Sequence, residues 1–270
     1  MIEMMNSDNT KTPAQEPVLS ERDGPILTVT LNRPEVRNAL DVELMASLKA
    51  LWRDADALRG VRCIIVTGAG EGFCSGADMS LLETDRSDAA DTVAEELAFL
   101  PGPVVERPVI VAVNGVCAGG GLHFVADGDI VLASESASFV DPHVSVGQVT
   151  ALEPLTLRLQ MRPDLLARMA LVGRRERLSA AQAREAGLVS EVVAPDQLLP
   201  QARELAGWIA ENSPAAVRRS RRVLRGLEER LIADSLEPGW AELRAHWTHP
   251  DCKEGPQAFI ERRDPVWSDT

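Results

Sequence analysis

The amino-acid sequence predicts an α/β fold, and two observations support this prediction. From residue 17 to about Pro195, short apolar segments rich in β-branched residues alternate with segments whose apolar residues recur at helical spacing. After Pro195 only helical patterns follow. Because such alternation is typical of strand–helix–strand units, we expect a sheet-containing core at residues 17–195 and a helical region at residues 196–270. The polar residues 1–16 are expected to be a disordered N-terminal segment.

The predicted elements follow in order along the chain. Residues 17–21 and 26–31 flank an Asp-Gly turn, which predicts a β-hairpin. Asp41 precedes leucines at helical spacing, which predicts a helix that ends near Leu58. Further strands are predicted at residues 61–66, 108–113, 130–133, 138–140 and 189–193. Further helices are predicted within residues 89–100, after the glycines at 119–121, within 153–171, 179–186, 197–211 and 214–229, and in a last region that holds Trp240, Trp247 and Phe259.

Charge and cysteine usage bound the partners and the location of the protein. The chain has 270 residues, 45% of them apolar, and a formal net charge of −13, which disfavours nucleic acid and anionic membranes as partners. It contains no apolar run of about 18 residues that could cross a bilayer. The four cysteines show no paired spacing and the four histidines no metal-ligand spacing. We therefore expect buried thiols, no metal site and a cytoplasmic location.

Two glycine-rich loops, each after an apolar segment, are candidate ligand sites. The first, at residues 68–78, has its third glycine one place too early for a dinucleotide fingerprint and lacks the Gly-Lys-Ser/Thr of a phosphate loop. It also carries Phe73 where a serine-hydrolase elbow needs a glycine two residues before Ser75. The second loop, three glycines at positions 119–121, introduces a predicted helix. Its exposed N–H groups and the helix N-terminus would suit an oxyanion.

Five sequence blocks, in one particular order, extend over most of the chain. They are Leu-Asn-Arg-Pro at 31–34 with Arg-Asn-Ala-Leu at 37–40; Phe-Cys-Ser-Gly-Ala-Asp at 73–78; Asn-Gly-Val-Cys-Ala-Gly-Gly-Gly at 114–121 with Ala126 and Asp129; Ser-Ala at 179–180 with Ala183 and residues 186–189; and Glu-Gly at 254–255 with Ala-Phe at 258–259, Glu-Arg-Arg at 261–263 and Pro265. In these blocks the sequence resembles the enoyl-CoA hydratase/isomerase (crotonase) family over roughly 90% of its length. One block alone is weak evidence, whereas five in the family's order are specific.

The resemblance implies a fold, a substrate and an assembly. The core would be a crotonase-like spiral of ββα turns that makes two roughly perpendicular sheets. The C-terminal helical region would pack subunits into a homotrimer or a dimer of trimers. The substrate would be an acyl-CoA thioester, with coenzyme A as part of the substrate and no further cofactor. Residues 79–100 and 144–152 would build the pocket for the acyl group.

The resemblance also implies site residues, position by position. The backbone N–H groups of Ala77 and Gly120 would form the oxyanion hole for the thioester carbonyl, since two preorganised donors stabilise a developing oxyanion. The remaining substrate-binding residues share a place along the expected path of coenzyme A. They are Arg37 and Arg33 near the phosphates; Asp78 and Met79, with Ala77, along the adenine and pantetheine path; Ala39 and Ser75 elsewhere in the binding site; and Phe259 and Arg262, from the same or a neighbouring subunit.

The sequence departs from the family pattern at both catalytic positions. Hydratases of this family hold a water between two glutamates, and His123 and His143 occupy those positions here. Imidazole accepts a proton when neutral and donates one when cationic, so the pair can still serve as acid and base. Asp141 or Glu153 would orient His143.

Three functions are compatible with this departure. The leading expectation is a lyase or isomerase of the enoyl-CoA hydratase/isomerase type that uses both histidines. The second is a C–C bond hydrolase of β-dicarbonyl substrates. The family's hydrolases of this kind pair a histidine with an aspartate nine residues later, but Leu152 stands there, with Glu153 next to it. The third is a catalytically silent acyl-CoA-binding homologue.

Overall fold

Ten strands form two sheets in the structure, a computed structural model that describes residues 16–78, 81, 90–102 and 104–268. The strands are β1 (Val18–Asp23), β2 (Ile26–Leu31), β3 (Cys63–Gly68), β4 (Gly72–Cys74), β5 (Val109–Val113), β6 (Val116–Ala118), β7 (Ile130–Ser134), β8 (Ser138–Val140), β9 (Arg177–Ser179) and β10 (Glu191–Val193). The larger sheet has the order β1-β2-β3-β5-β7-β10, and the smaller one has the order β4-β6-β8-β9. Only the outer pairs β1–β2 and β8–β9 are antiparallel within these sheets.

Nine α-helices of the described residues cover the sheets. They are α1 (Val42–Arg53), α2 (Val93–Glu96), α3 (Leu122–Asp127), α4 (Leu152–Leu157), α5 (Pro163–Val172), α6 (Ala180–Glu185), α7 (Leu198–Glu211), α8 (Pro214–His246) and α9 (Asp251–Glu261). Short 3-10 turns precede α3, at Gly119–Gly121, and follow β8, at His143–Val146.

From β3 to β8, successive strands alternate between the two sheets. β3, β5 and β7 lie in the larger sheet, and each is followed within a few residues by β4, β6 or β8 of the smaller one. Helical segments then lead from β4 to β5 and from β6 to β7, whereas β8 is followed by β9 of the same sheet before α6 leads to β10. This arrangement confirms the predicted α/β class and the crotonase-like core with helical C-terminal region.

The strand β3 shows why the larger sheet reads as continuous apolar runs. Ile64 and Val66 face the main core between the sheets, whereas Cys63 and Ile65 face Ala202 and its neighbours on α7. Both faces are therefore buried, as in parallel sheets covered on each side. All four cysteines are buried thiols, as the sequence predicted, and none forms a disulfide within the described residues. Burial raises the pKa of the Cys63 and Cys74 thiols to about 12.

Several predicted boundaries were wrong, each for a local or tertiary reason. Helix α1 ends at Arg53 rather than near Leu58, because the Asp54 carboxylate accepts hydrogen bonds from the N–H groups of the two following turn residues. Helix α8 continues 17 residues beyond the predicted end at Glu229, through Pro238. Its second half is held by Trp240, which packs with apolar residues of α2 and α4, so tertiary packing outweighs the cost of an internal proline. Strands β4, β6 and β9 were not predicted, because three residues give too short a pattern.

Parts of the predicted organisation lie outside the described residues. The predicted disordered segment 1–16 is described only at Glu16. Of segment 79–100, only Leu81 and residues 90–100 are described. The boundary between residues 195 and 196 stays a prediction. No helix in the described ranges combines the length and apolarity needed to cross a bilayer.

Candidate active site

The segment from Arg33 to Leu40 wraps around the loop that follows β3. Asn38 is completely buried and has a left-handed backbone with φ of 57°, a conformation that asparagine tolerates better than most residues. Its side-chain amide donates to the carbonyl oxygens of Ala69 and Gly72 at 3.0 and 2.8 Å. These bonds fix the first glycine-rich loop against the Asn38 segment.

A second asparagine fixes the same loop from the other side. Asn114, which follows β5, accepts a hydrogen bond from the Gly68 N–H at 3.1 Å and donates to Gly70 at 2.9 Å. These contacts fix the first glycine-rich loop against the segment that leads from β5 to the second loop.

The two loops meet at Gly76. Gly76 has φ of +93°, and a Cβ built on it would lie 2.9 Å from the Ala118 oxygen and 3.3 Å from the Gly120 nitrogen. A Cβ built on Gly120 would lie 3.7 Å from the Ala77 nitrogen. Glycine at position 76 therefore permits a backbone conformation and a close approach that bring the Ala77 and Gly120 amides together.

The Ala77 and Gly120 N–H groups are not used by the hydrogen bonds that hold the two loops. Ala77 pairs with Leu40 in an isolated bridge, but the bonds of that bridge use the N–H groups of Leu40 and Asp78. Gly120 lies in the first turn of the 3-10 segment before α3, where N–H groups lack helical acceptors. Within the described ranges neither N–H donates to a protein acceptor, and Ala77 is exposed while Gly120 is half-buried.

His143 stands beside this pair of amides. A Cβ built on Gly119 would lie 3.5 Å from Cε1 and 3.7 Å from Nε2 of His143. The His143 Nδ1 is 2.6 Å from Oδ1 of Asp141, a carboxylate that is 1% exposed and that also accepts from the Thr150 hydroxyl. Because an ionised carboxylate only accepts hydrogen bonds, the His143 Nδ1 donates its proton, and in the neutral ring Nε2 carries the lone pair.

His123 lies behind His143, in the first turn of α3, and is 8% exposed. Its Nε2 is 3.1 Å from Oε1 of Glu153, in the first turn of α4. The same oxygen is 3.6 Å from the His143 Nε2, which is beyond hydrogen-bond distance. The structure therefore brings both predicted histidines to one buried carboxylate.

Glu153 is 4% exposed, so its charge state depends on its partners. Burial raises the pKa of the Glu153 carboxyl, but attraction to His123 and His143 and the hydrogen bond from His123 outweigh burial, and the net pKa lies well below its usual range. A proton on either ring therefore favours the ionised form of Glu153.

The cationic residues predicted to meet coenzyme A differ in their surroundings. Arg33 is held by Asp41 at 3.0 Å and by Asp78 at 3.2 Å, so two carboxylates neutralise it. Arg37 is exposed and takes a left-handed backbone, and its carbonyl accepts from the Ser75 N–H at 3.0 Å.

The other predicted ligand residues fall into three places. Ala39 is buried in the segment from Arg33 to Leu40, and Ser75 is half-buried in the first glycine-rich loop. Phe259 and Arg262 lie at the end of α9 with exposed side chains, and Phe259 is 55% exposed. Met79 lies outside the described residues.

A mostly apolar cleft of about 160 Å³ begins at His123. Leu97, Leu100 and Leu236 line it, and Thr156, Gln160 and Arg225 give it a polar side. The cleft lies between α3, α4 and α8, and Leu97 and Leu100 belong to the segment 79–100 that was predicted to build the acyl pocket.

The sequence indicated the histidines more directly than their partners. The sequence leaves both Asp141 and Glu153 open as partners of His143, and the 2.6 Å contact assigns the His143 Nδ1 to Asp141. The contact of Glu153 with His123 was not predicted. Its signal was a carboxylate inside the apolar segment Ala-Leu-Glu-Pro-Leu at 151–155, where an unpaired charge would be costly.

Comparison with known sequences identifies one family over nearly the whole chain. The sequence model described as enoyl-CoA hydratase/isomerase matches residues 21–270. A mevalonyl-coenzyme A hydratase of Aspergillus fumigatus is 38% identical over 251 residues, which are 90% of this chain and 91% of that protein. A carnitinyl-CoA dehydratase of Salmonella paratyphi A is 33% identical over 259 residues, which are 91% of this chain and 96% of that protein.

Solved structures show the same similarity. EchA1_1 of Mycobacterium paratuberculosis superposes with a TM-score of 0.84 at 32% identity, covering 95% of this chain and 100% of that one. A carnitinyl-CoA hydratase of Mycobacterium avium superposes with a TM-score of 0.82 at 30% identity, again covering 95% and 100% of the two chains.

Proposed function

The chain belongs to the enoyl-CoA hydratase/isomerase family, and we propose that it adds water to, or removes it from, an acyl-CoA thioester, using His123 and His143 as acid and base. The observation that carries this proposal is the Asp141–His143 pair beside the two free N–H groups of Ala77 and Gly120. Coenzyme A belongs to the substrate, and no further cofactor is invoked.

The two amides would hold the thioester oxygen. When a nucleophile adds to the β-carbon of an enoyl thioester, electrons move from the C=C bond towards that oxygen and form an enolate. The Ala77 and Gly120 N–H groups are preorganised for this charge, and one such donor typically contributes about 10² to 10³ in rate. Protonation of the α-carbon then completes hydration, and the reverse order gives dehydration.

His143 would act as the base and His123 as the second proton-handling group. The neutral His143 ring presents its Nε2 lone pair next to Gly119, while Asp141 holds the proton on Nδ1 and stabilises the imidazolium that forms. A water that gives its proton to Nε2 adds as hydroxide to the β-carbon. His143 is the more accessible ring, with 22% of its side chain exposed against 9% for His123.

Coenzyme A would bind along the two glycine-rich loops, which meet at Gly76. Arg37 is a stronger candidate than Arg33 for the phosphates, because two carboxylates already neutralise Arg33. We further propose that Ala39, Ser75, Asp78 and Met79 line the path of the nucleotide and pantetheine. Phe259 and Arg262 would close the path, in a homotrimer or a dimer of trimers.

The test is a screen of crotonyl-, longer enoyl-, mevalonyl-, carnitinyl- and β-ketoacyl-CoA esters for loss of enoyl absorbance, new hydroxyl groups and free thiol. With the ester that is turned over, His143→Ala should lose activity by about 10² or more but keep its affinity for the ester. His249→Ala, which removes a histidine outside the site, is the matched control. Equal turnover by His143→Ala and wild type would contradict the proposal.

Hydrolytic C–C cleavage of a β-dicarbonyl substrate is the second candidate function. The specific observation in its favour is that Asp141 supplies His143 with a carboxylate partner that position 152 does not. The product distinguishes the two reactions, because hydration adds a hydroxyl group whereas hydrolysis breaks a carbon–carbon bond. Binding of acyl-CoA in a calorimetric titration without turnover of any ester would instead support a catalytically silent homologue.

A further inference from the structure

Glu153 is a buried carboxylate that the proposed reaction does not use. It lies on α4, outside both positions at which the family places its catalytic glutamates, and only 5% of its side chain is exposed. Its Oε1 atom is 3.1 Å from Nε2 of His123 and 3.6 Å from Nε2 of His143. The two rings therefore direct the same ring atom at one oxygen.

Such a carboxylate is costly to bury unless cations or donors compensate it. A buried ionised group loses several kcal/mol of hydration, and a nearby opposite charge recovers it only at close range. Among the described residues, the cationic or ionisable side chains within 4 Å of the Glu153 carboxylate are the two histidines. Each ring that gains a proton therefore changes the energy of the other ring through this shared oxygen.

We propose that Glu153 is a positioning residue that couples His123 and His143 into one acid/base unit, in which the protonation of either ring depends on that of the other. The proposal deepens the function proposed above and rests on it for its catalytic meaning. In the proposed reaction Glu153 does not contact the substrate. It fixes the orientation of His123 through one hydrogen bond and, together with Asp141, provides negative charge that lets the unit accept protons.

The tautomers assign different parts to the two rings. Asp141 takes the Nδ1 proton of His143, so the neutral His143 ring faces Glu153 with a lone pair and cannot donate to it. His123 instead donates its Nε2 proton to Glu153. In the neutral ring, the Nε2 lone pair of His143 repels the Glu153 oxygen. When His143 gains a proton during the reaction, its Nε2–H attracts that oxygen instead.

The other charged groups around the unit are already engaged. Asp141 faces His143 from the end of β8. Asp127 and Arg225 line the cleft that begins at His123, and they pair with each other at 2.8 Å. Among the described residues, Glu153 is thus the one carboxylate within 4 Å of both rings.

The test is a histidine titration by nuclear magnetic resonance on the full-length protein with ¹⁵N-labelled imidazoles. Glu153→Gln keeps the shape of the side chain and removes its charge. We expect it to lower the titration midpoints of both His123 and His143 by about 1 pH unit or more, since a charge at this distance shifts such equilibria by 1 to 3 units. Glu185→Gln, which removes an exposed carboxylate on α6, should change neither midpoint. Unchanged midpoints, or a change at one ring only, would overturn the proposal.

A second measurement covers the case in which Glu153→Gln does not fold. In His123→Gln, the Glu153 charge stabilises only the protonated form of His143. A proton on position 123 can then no longer repel a proton on His143. The midpoint of His143 should therefore rise relative to wild type, and an unchanged midpoint would count against coupling.

Activity gives the third readout. The whole pH profile of kcat should move to lower pH in Glu153→Gln, and Glu153→Asp should restore its position because it keeps the charge. A residue with only a structural role would lower kcat without moving the profile. The titrations need no substrate, so coupled histidines without turnover of any CoA ester would refute the proposed function alone. Uncoupled histidines in an active enzyme would refute the role of Glu153 alone.

Discussion

Both oxygens of the Asp141 carboxylate accept hydrogen bonds, and two of the three bonds from described residues come from His143. Its Oδ1 accepts from the Nδ1 and the backbone N–H of His143, at 2.6 and 3.2 Å, and its Oδ2 accepts from the Thr150 hydroxyl. Asp141→Asn keeps the size but presents an amide that can donate to Nδ1, which would place the His143 lone pair on the wrong nitrogen. We expect kcat to fall by about 10² to 10⁴, the usual range for losing a positioned general base, with little change in KM.

Thr150→Val is the matched control for Asp141. It removes one hydrogen bond to the same carboxylate but leaves the charge and the tautomer of His143 intact. Its kcat should fall by about tenfold or less, as expected for one hydrogen bond of about 1 kcal/mol. Steady-state kinetics of both variants on one CoA ester checks the order, and equal losses would argue against a tautomer effect.

Gly76 is the second residue at which a single atom decides the site. Its φ of +93° and the 2.9 Å approach of a Cβ to the Ala118 oxygen leave no room for alanine. Gly76→Ala should cost about 1 to 3 kcal/mol of unfolding free energy for the strained backbone. It should also reduce kcat by about 10² or more, because displacing the loop separates the Ala77 and Gly120 amides.

Gly207 provides the control for Gly76. It lies within α7, where a Cβ would meet no atom within 4 Å. Gly207→Ala should stabilise the protein by about 0.5 to 1 kcal/mol, the gain for a helix interior, with unchanged kcat. Denaturant titrations and kinetics of the two variants together separate site geometry from general stability. Normal activity of Gly76→Ala would contradict the proposed oxyanion hole.

At the level of elements, strength of local signal decided what the sequence could predict. The hairpin β1–β2 and strand β8 carry dense β-branched or apolar patterns, and their predicted extents match within two residues. Strands β4, β6 and β9 have three residues each and exist because longer neighbours align them. The contact between His123 and Glu153 depends on how α3 packs against α4, which no local pattern encodes.

The N-cap residue of helix α1, Asp41, also forms an ion pair with Arg33 near the site. The Asp41 side chain accepts from the Leu44 N–H at 2.7 Å and pairs with Arg33 at 3.0 Å. Asp41→Ala should lower the free energy of unfolding by about 1 kcal/mol, the usual value of an N-cap. Asp41→Asn keeps a good cap but loses the pair with Arg33, which is only partly buried, so it should cost less. Thermal unfolding of both variants checks this order, and equal losses would show that the ion pair dominates.

At the scale of the whole molecule, motif order predicted more than local pattern. Five short blocks sufficed to indicate the ββα core that the comparisons and the two sheets confirm. The same blocks imply an assembly, but they do not indicate which residues form its contacts, because such residues need only be apolar and exposed. Such residues become visible only when the fold shows which side of each helix is uncovered.

Helix α8 has an uncovered apolar stripe that fits the predicted assembly. Leu224, Leu227 and Leu231 recur at spacings of three and four, and they are 66%, 53% and 62% exposed, with Val223 beside them at 72%. A stripe of this kind usually marks a contact with another surface. We expect sedimentation equilibrium to give a mass of three or six times 29.2 kDa for the wild-type chain.

Leu227→Glu should convert this assembly to monomers. The substitution would place a carboxylate in an apolar contact in every subunit, and each unpaired buried charge costs several kcal/mol. Leu171→Glu, at a leucine that is 77% exposed on α5, is the matched control and should leave the mass unchanged. A monomeric wild-type protein would contradict the predicted trimer. If Leu227→Glu keeps the wild-type mass, the carboxylate at position 227 still faces water. The interface would then not lie on the apolar stripe of α8.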